Sequence, residues 1–191
     1  MDTILTVPGL HGSGPGHWQT WLEARLPGAV RVVQPDWTKP DLGQWAGRVR
    51  RDINRVPGRI WVVAHSFGVL AAAQAGWDYR ERIAGAMFVA PDDPERFGLE
   101  RLLPDAHLGF PSLLVASTTD PWMSIESAAQ WAETWGSAFV NLGNVGHINV
   151  QSGHGAWPQG LDLLARLCGG SGAARRTSVA ADDLEEWGEI T

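Results

Sequence analysis

Apolar positions along the chain alternate between two periods. Short apolar, mostly β-branched runs at Thr3–Val7, Val30–Val33, Ile60–Val63, Ile83–Val89, Ser112–Ala116 and Ala138–Leu142 read as six strands. Between them the spacing changes to three and four. Trp18, Trp21, Leu22 and Leu26 make one helical stripe. Leu42, Trp45, Val49 and Ile53 make a second, with Arg48, Arg50, Arg51 and Asp52 largely on its wet side. Val69–Ala75, Ser124–Trp135 and Trp157–Cys168 complete the helices, the last with Leu161, Leu164 and Cys168 on one face. Repeated strand–helix pairing predicts an α/β domain with a mostly parallel six-stranded sheet, helices on both faces and ligands bound beyond the carboxyl ends of the strands. The loops to search for chemistry are therefore 9–17, 35–40, 64–67, 91–110, 118–123 and 143–156. From Gly169 the texture changes to "GGSGAARRTSVAADDLEEWGEIT". The expected division is a domain over 1–168 and a flexible acidic tail over 169–191, in which Leu184, Trp187 and Ile190 could form one apolar edge.

Composition narrows the class. The 191 residues suffice for one domain with a substantial core, and a net charge of −6 argues against non-specific nucleic-acid binding. No apolar run reaches the length of a membrane span, and the start lacks the basic, then apolar, pattern of a signal peptide. A lone cysteine, Cys168, gives neither an internal disulfide nor a zinc constellation. The expectation is a cytoplasmic protein with no metal and no cofactor.

The chemistry is concentrated in "RIWVVAHSFGVLAAA", residues 59–73, where a buried strand runs straight into a small-residue helix. Ala64-His65-Ser66-Phe67-Gly68 at the junction is a nucleophile elbow with alanine in the first glycine position. The turn demands small residues two before and two after the serine, and it presents the hydroxyl at a helix N-terminus. A serine hydroxyl needs a base, itself oriented by a carboxylate, and in elbow hydrolases the chain order is serine, acid, histidine. Asp120, after the fifth strand, and His147, after the sixth, satisfy that order. Asp92 and Asp93 after the fourth strand compete for the acid, and His154 competes for the base; Asp36 falls in the wrong order. An oxyanion would need two backbone N–H donors, one from Phe67 and one from the first loop, where Leu10 is the first choice and His11 the next. That loop, "PGLHGSGPGHW", could instead cradle phosphate, but it misses both the G-x-G-x-x-G spacing and G-K-[ST]. Of the eleven tryptophans, Trp37 and Trp122 lie in strand-end loops. With His11 they are candidates to line a substrate pocket, packing beneath a loop being the alternative.

Taken together, "VPGLHGSGPGHWQTWLE", "VAHSFG", "STTDPW" and "GHINVQSGHGAWPQG" resemble the small serine hydrolases related to retinoblastoma-binding protein and to the bacterial YdeN proteins. The resemblance spans about Thr3 to Cys168. It implies a compact α/β-hydrolase fold with little or no cap domain, and a Ser–Asp–His triad falling on Ser66, Asp120 and His147, with His154 a loop residue. The expected activity is hydrolysis of a small carboxylic ester, or an amide or thioester, with a small molecule as partner. The alternative is a protein-binding module on a hydrolase fold with slow or residual hydrolysis, which would imply a protein partner.

Overall fold

The computed structural model describes residues 2–173. Its frame is a six-stranded sheet in the order β2-β1-β3-β4-β5-β6, parallel at every pairing. The strands are β1 (Thr3–Val7), β2 (Val30–Arg31), β3 (Ile60–Ser66), β4 (Ile83–Pro91), β5 (Ser112–Ala116) and β6 (Ala138–Asn141). All seven residues of β3 and all nine of β4 are buried, as the central strands of a sheet covered on both faces must be.

Five helices cover the sheet: α1 (Trp18–Glu23), α2 (Leu42–Arg55), α3 (Phe67–Asp78), α4 (Ile125–Trp135) and α5 (Pro158–Ala173). The core is split by the sheet into two layers. One gathers Trp45, Val49 and Ile53 of α2, the alanines of α3, and Ala128, Ala132 and Trp135 of α4. The other gathers Trp18 and Leu22 of α1 with Leu163 and Leu164 of α5. Alanine and glycine dominate α3 because its backbone lies hard against the sheet; every residue from Phe67 to Ala73 is buried.

Several boundaries differ from the sequence expectation. β2 stops at Arg31; the ladder gains one more bond, from Val32 N–H to the Thr6 carbonyl, and Val33 then turns outward, 55% exposed. α1 ends at Glu23, before Leu26, because Pro27 disfavours helical backbone in the residue preceding it. α5 continues to Ala173, past the boundary expected at Cys168, since extending an existing helix costs far less than starting one. The rest of the expected tail, with Leu184, Trp187 and Ile190, lies outside the described residues. The long 92–110 segment holds two short 3-10 turns, at Pro94–Phe97 and Glu100–Leu102, and no α-helix. Nothing in it builds a cap domain. Among the described residues no helix is long and apolar enough to cross a membrane, and no cluster of three or more His, Cys, Asp or Glu could hold a metal ion.

Candidate active site

Four non-glycine residues have positive φ among the described residues: His11, Ser66, Ala90 and Ile148. Each lies at or just beyond the carboxyl end of a strand: β1, β3, β4 and β6 respectively. Such backbone costs on the order of 1–3 kcal/mol per residue and persists only where surrounding structure enforces it. A cleft of about 800 Å³ opens among these strand ends, and His11 and Ser66 line it directly, as do His147, adjacent to Ile148, and Asp92, two residues after Ala90.

Ser66 occupies the turn from β3 into α3 with φ 56° and ψ −133°. Close packing forces that shape. A Cβ on Gly68 would stand 2.4 Å from the carbonyl oxygens of both Val7 and Pro8, and one on Gly9 would stand 2.5 Å from the Ser66 Cβ. Small residues are therefore required where α3 starts and where the β1 loop passes over the serine. The Ser66 hydroxyl is 3.1 Å from Asp92 Oδ2 and donates to it. Asp92 follows β4 directly, and burial pushes its carboxyl above the ordinary aspartate range, against the opposing pull of His147, the Ser66 hydroxyl and Arg96.

The His147 Nδ1–H donates to both oxygens of Asp120, at 3.0 and 2.9 Å, with the carboxylate 2% and the imidazole 8% exposed. The Trp122 backbone N–H also donates to Asp120 Oδ1 at 2.9 Å, which fixes the carboxylate from a second side. With Nδ1 carrying the proton, Nε2 keeps its lone pair on the cleft side. The loop behind His147 is held by remote groups. His65 Nε2–H donates to the His147 carbonyl at 3.0 Å, and Trp18 Nε1–H donates to the carbonyl of strained Ile148 at 2.9 Å. Thr119 Oγ1 accepts from the Gly146 N–H, and Ser117 Oγ from the Val145 N–H.

Behind this loop the rings of His17, His65 and His147 follow one another at centroid distances of 4.9 Å for each neighbouring pair. Burial lowers the His17 pKa to about 4, with Arg31, His147 and His154 adding to the effect, and lowers that of His65 well below the usual range. Both are neutral rings at neutral pH. His17 caps α1 by accepting the Gln19 N–H at Nδ1. The fully buried Gln19 side chain donates to the carbonyls of Val7 and Val63, tying the ends of β1 and β3 together.

The remaining expected residues separate into two groups. Leu10, His11 and Trp122 line the cleft with Ser66 and His147. His11 gives its N–H to the Trp37 carbonyl at 2.8 Å, so of the two first-loop candidates Leu10, not His11, is the one whose N–H has no backbone acceptor among the described residues. Phe67 contributes the first N–H of α3, which no preceding turn of helix can use. Trp37 does not line the cleft. It packs beneath the loop, its ring under Gly12 and edge-on to Trp45 at 5.7 Å. Asp93 accepts from the Glu95 N–H and from Ser127 Oγ, away from Ser66. His154 faces Ser152 and Trp157, not the serine. Sequence reading passed over Gln19, His65 and Trp18 as supports; the signal available was polar and aromatic residues crowded into "GHWQ" and "AHS" beside small ones. Asp92 was visible as an acid, though its hydrogen bond to Ser66 was not.

A model of the serine hydrolase family matches residues 4–166. Among solved structures, a YdeN-like hydrolase from Pectobacterium atrosepticum is 38% identical, over 90% of this chain and 92% of its own, with a TM-score of 0.86. The ydeN product of Bacillus subtilis shares the fold at 18% identity and a TM-score of 0.71, over 87% of this chain and 98% of its own. So does Est1E of Butyrivibrio proteoclasticus, solved with ferulic acid bound, at 13% identity and a TM-score of 0.66, over 93% of this chain and 90% of its own. Comparison with curated proteins returned no match. With its all-parallel sheet, elbow serine and family match over nearly the whole described length, the chain belongs to the serine hydrolase family and has the α/β-hydrolase fold of the YdeN-like hydrolases.

Proposed function

We propose that the protein hydrolyses small carboxylic esters through an acyl-enzyme on Ser66, with His147 as base and Asp120 as the group that orients it. The observation that carries this reading is the two-oxygen grip of Asp120 on His147 Nδ1, made on the same cleft as an elbow serine. In the free enzyme the Ser66 proton points to Asp92. Rotation about the Cα–Cβ bond turns it to His147 Nε2. As Oγ bonds to the carbonyl carbon, that proton passes to Nε2, and Asp120 stabilises the resulting imidazolium. The oxyanion is met by the N–H groups of Phe67 and Leu10, the former at the positive end of α3; one such donor is worth about 10²–10³ in kcat. Collapse breaks the bond to the leaving oxygen, which takes the proton from Nε2. Water, deprotonated by the same nitrogen, then releases the acid.

The open cleft and the absence of α-helix in 92–110 support short acyl groups over long ones, since each buried methylene adds about 0.8 kcal/mol only where an apolar wall receives it. Amides and thioesters fit the same chemistry. Stopped-flow turnover of p-nitrophenyl acetate should show a burst of one equivalent, and kcat/KM across acetyl to palmitoyl esters should peak at a few carbons. No burst and no turnover with any ester would leave the protein a binding module on a hydrolase fold. A steady rise to the longest soluble chain would make 92–110 an apolar lid.

A further inference from the structure

Asp92 is 4% exposed, makes no ion pair among the described residues, and stands 3.1 Å from the oxygen that does the attacking in the mechanism above. Arg96, on the same cleft wall, favours a charge on Asp92 from a distance but forms no ion pair with it; its guanidinium lies 4.3 Å over the Trp122 ring and reaches the Trp122 carbonyl. The strained Ala90, φ 45°, sits two residues before Asp92 and sets the direction in which β4 delivers it. A carboxylate in this place is chemically awkward for a neutral ester. It competes with His147 for the serine proton, and its charge opposes the oxyanion that forms beside it. Both disadvantages vanish when a positive group of the substrate pairs with it.

We infer that Asp92 is a cation subsite, and that the preferred substrates are esters carrying an ammonium group on the carbon next to the scissile carbonyl. The inference rests on the proposed function and names its substrate class. An α-ammonium nitrogen lies about 2.5 Å from the carbonyl carbon by standard bond geometry, hence within hydrogen-bonding reach of a carboxylate already in contact with Oγ. When the ammonium donates to Asp92, the serine loses its resting acceptor and its proton is free to turn to His147. One contact thus selects the substrate and releases the nucleophile, so selection appears in kcat as well as in KM. Arg96, beyond Asp92 on the cleft wall, disfavours a second ammonium further out and leaves room for neutral or anionic extensions.

The test compares benzyl esters of L-alanine, propionate and N-acetyl-L-alanine at pH 6.5, below the usual α-amino pKa of about 7.7. The wild type should prefer the alanine ester over propionate by about tenfold or more in kcat/KM, as expected for a desolvated charge pair, and N-acetylation should abolish the preference. In Asp92→Asn, which keeps shape and an acceptor oxygen, the alanine ester should lose most of that advantage while the propionate ester gains. Wild-type rates within about twofold of one another for the charged and uncharged esters would overturn the inference without any variant, leaving the serine mechanism intact. An equal fall of both esters in Asp92→Asn would also overturn it, making Asp92 a structural support. Absence of turnover of all three, with no labelling by a fluorophosphonate, would sink the serine mechanism and this inference with it.

Discussion

Ser66 and His147 reach the same cleft by opposite means. Ser66 is held by exclusion: Gly9 and Gly68 leave no room for a Cβ, and the backbone has one shape available. His147 is held by hydrogen bonds from distant segments, namely Asp120, His65 and Trp18, the last 130 residues away from its acceptor in sequence. In the proposed mechanism the nucleophile must stand at a fixed point against the oxyanion donors, and close packing would provide that. The proposed base must receive and return a proton while keeping its tautomer, and partners that recognise one face of the ring would provide that. The difference teaches where each half is fragile: the serine to added volume, the histidine to lost partners.

The largest effect should come from removing the proposed base. His147→Ala should lower ester turnover by about 10⁶, nearly to background, because nucleophile and base act as a unit. His154→Ala, outside that unit, should keep most of the activity; reversed results would move the base to His154. Asp120→Asn leaves the shape intact but permits the wrong tautomer, and kcat should fall by about 10⁴ with KM little changed.

On the serine side, Gly68→Ala is the sharpest test of exclusion. In an exposed helix interior the change stabilises by about 1 kcal/mol. Here the new Cβ meets two carbonyl oxygens at 2.4 Å, and the sign should reverse, to a destabilisation of about 3 kcal/mol or more in denaturant unfolding. A stabilised or unchanged Gly68→Ala would break the exclusion account. On the histidine side, Trp18→Phe keeps the ring packing and removes the N–H from the Ile148 carbonyl. Stability should fall by about 1–3 kcal/mol for the unsatisfied carbonyl, and kcat should fall more than KM rises.

The smallest effect expected is on the pH dependence of stability. His17 is held neutral, its pKa lowered from 6.5 to about 4, and His65 is shifted in the same direction. In the unfolded chain both protonate as the pH falls through 6.5, while the folded protein resists. Stability from this source is therefore intact above pH 6.5 and is lost progressively as the pH falls from 6.5 towards 4. His17→Asn, which keeps an N-cap acceptor and removes the titrating ring, should flatten the slope of Tm against pH in that window. An unchanged slope would mean that the His17 ring is not the titrating group.

How far this was legible in the sequence follows the same division. The elbow is a local feature, and local sterics write themselves into adjacent residues: Ala64, Ser66 and Gly68 lie within one turn of chain. The strands of the sheet were equally plain, because β3 and β4 are buried on both faces and read as unbroken apolar runs. The order of Ser66, Asp120 and His147 was legible because each follows a recognisable strand. The supports of His147 were not. Trp18 and Gln19 sit on a short helix, and nothing in their spacing says that one will clasp Ile148 and the other the ends of two strands. Trp37 was ambiguous for a related reason. A tryptophan in a strand-end loop can face the cleft or the core, and Gly12 with Trp45 decided for the core.

The most direct test of the account is the site and stoichiometry of labelling by a fluorophosphonate probe, read by mass spectrometry of the intact and digested protein. The account predicts one equivalent of adduct on the peptide containing Ser66, none in Ser66→Ala, and rapid labelling that slows sharply in His147→Ala while the fold persists by circular dichroism. Labelling that continues unchanged in Ser66→Ala, or an adduct mapped to Ser13 or Ser152, would contradict it.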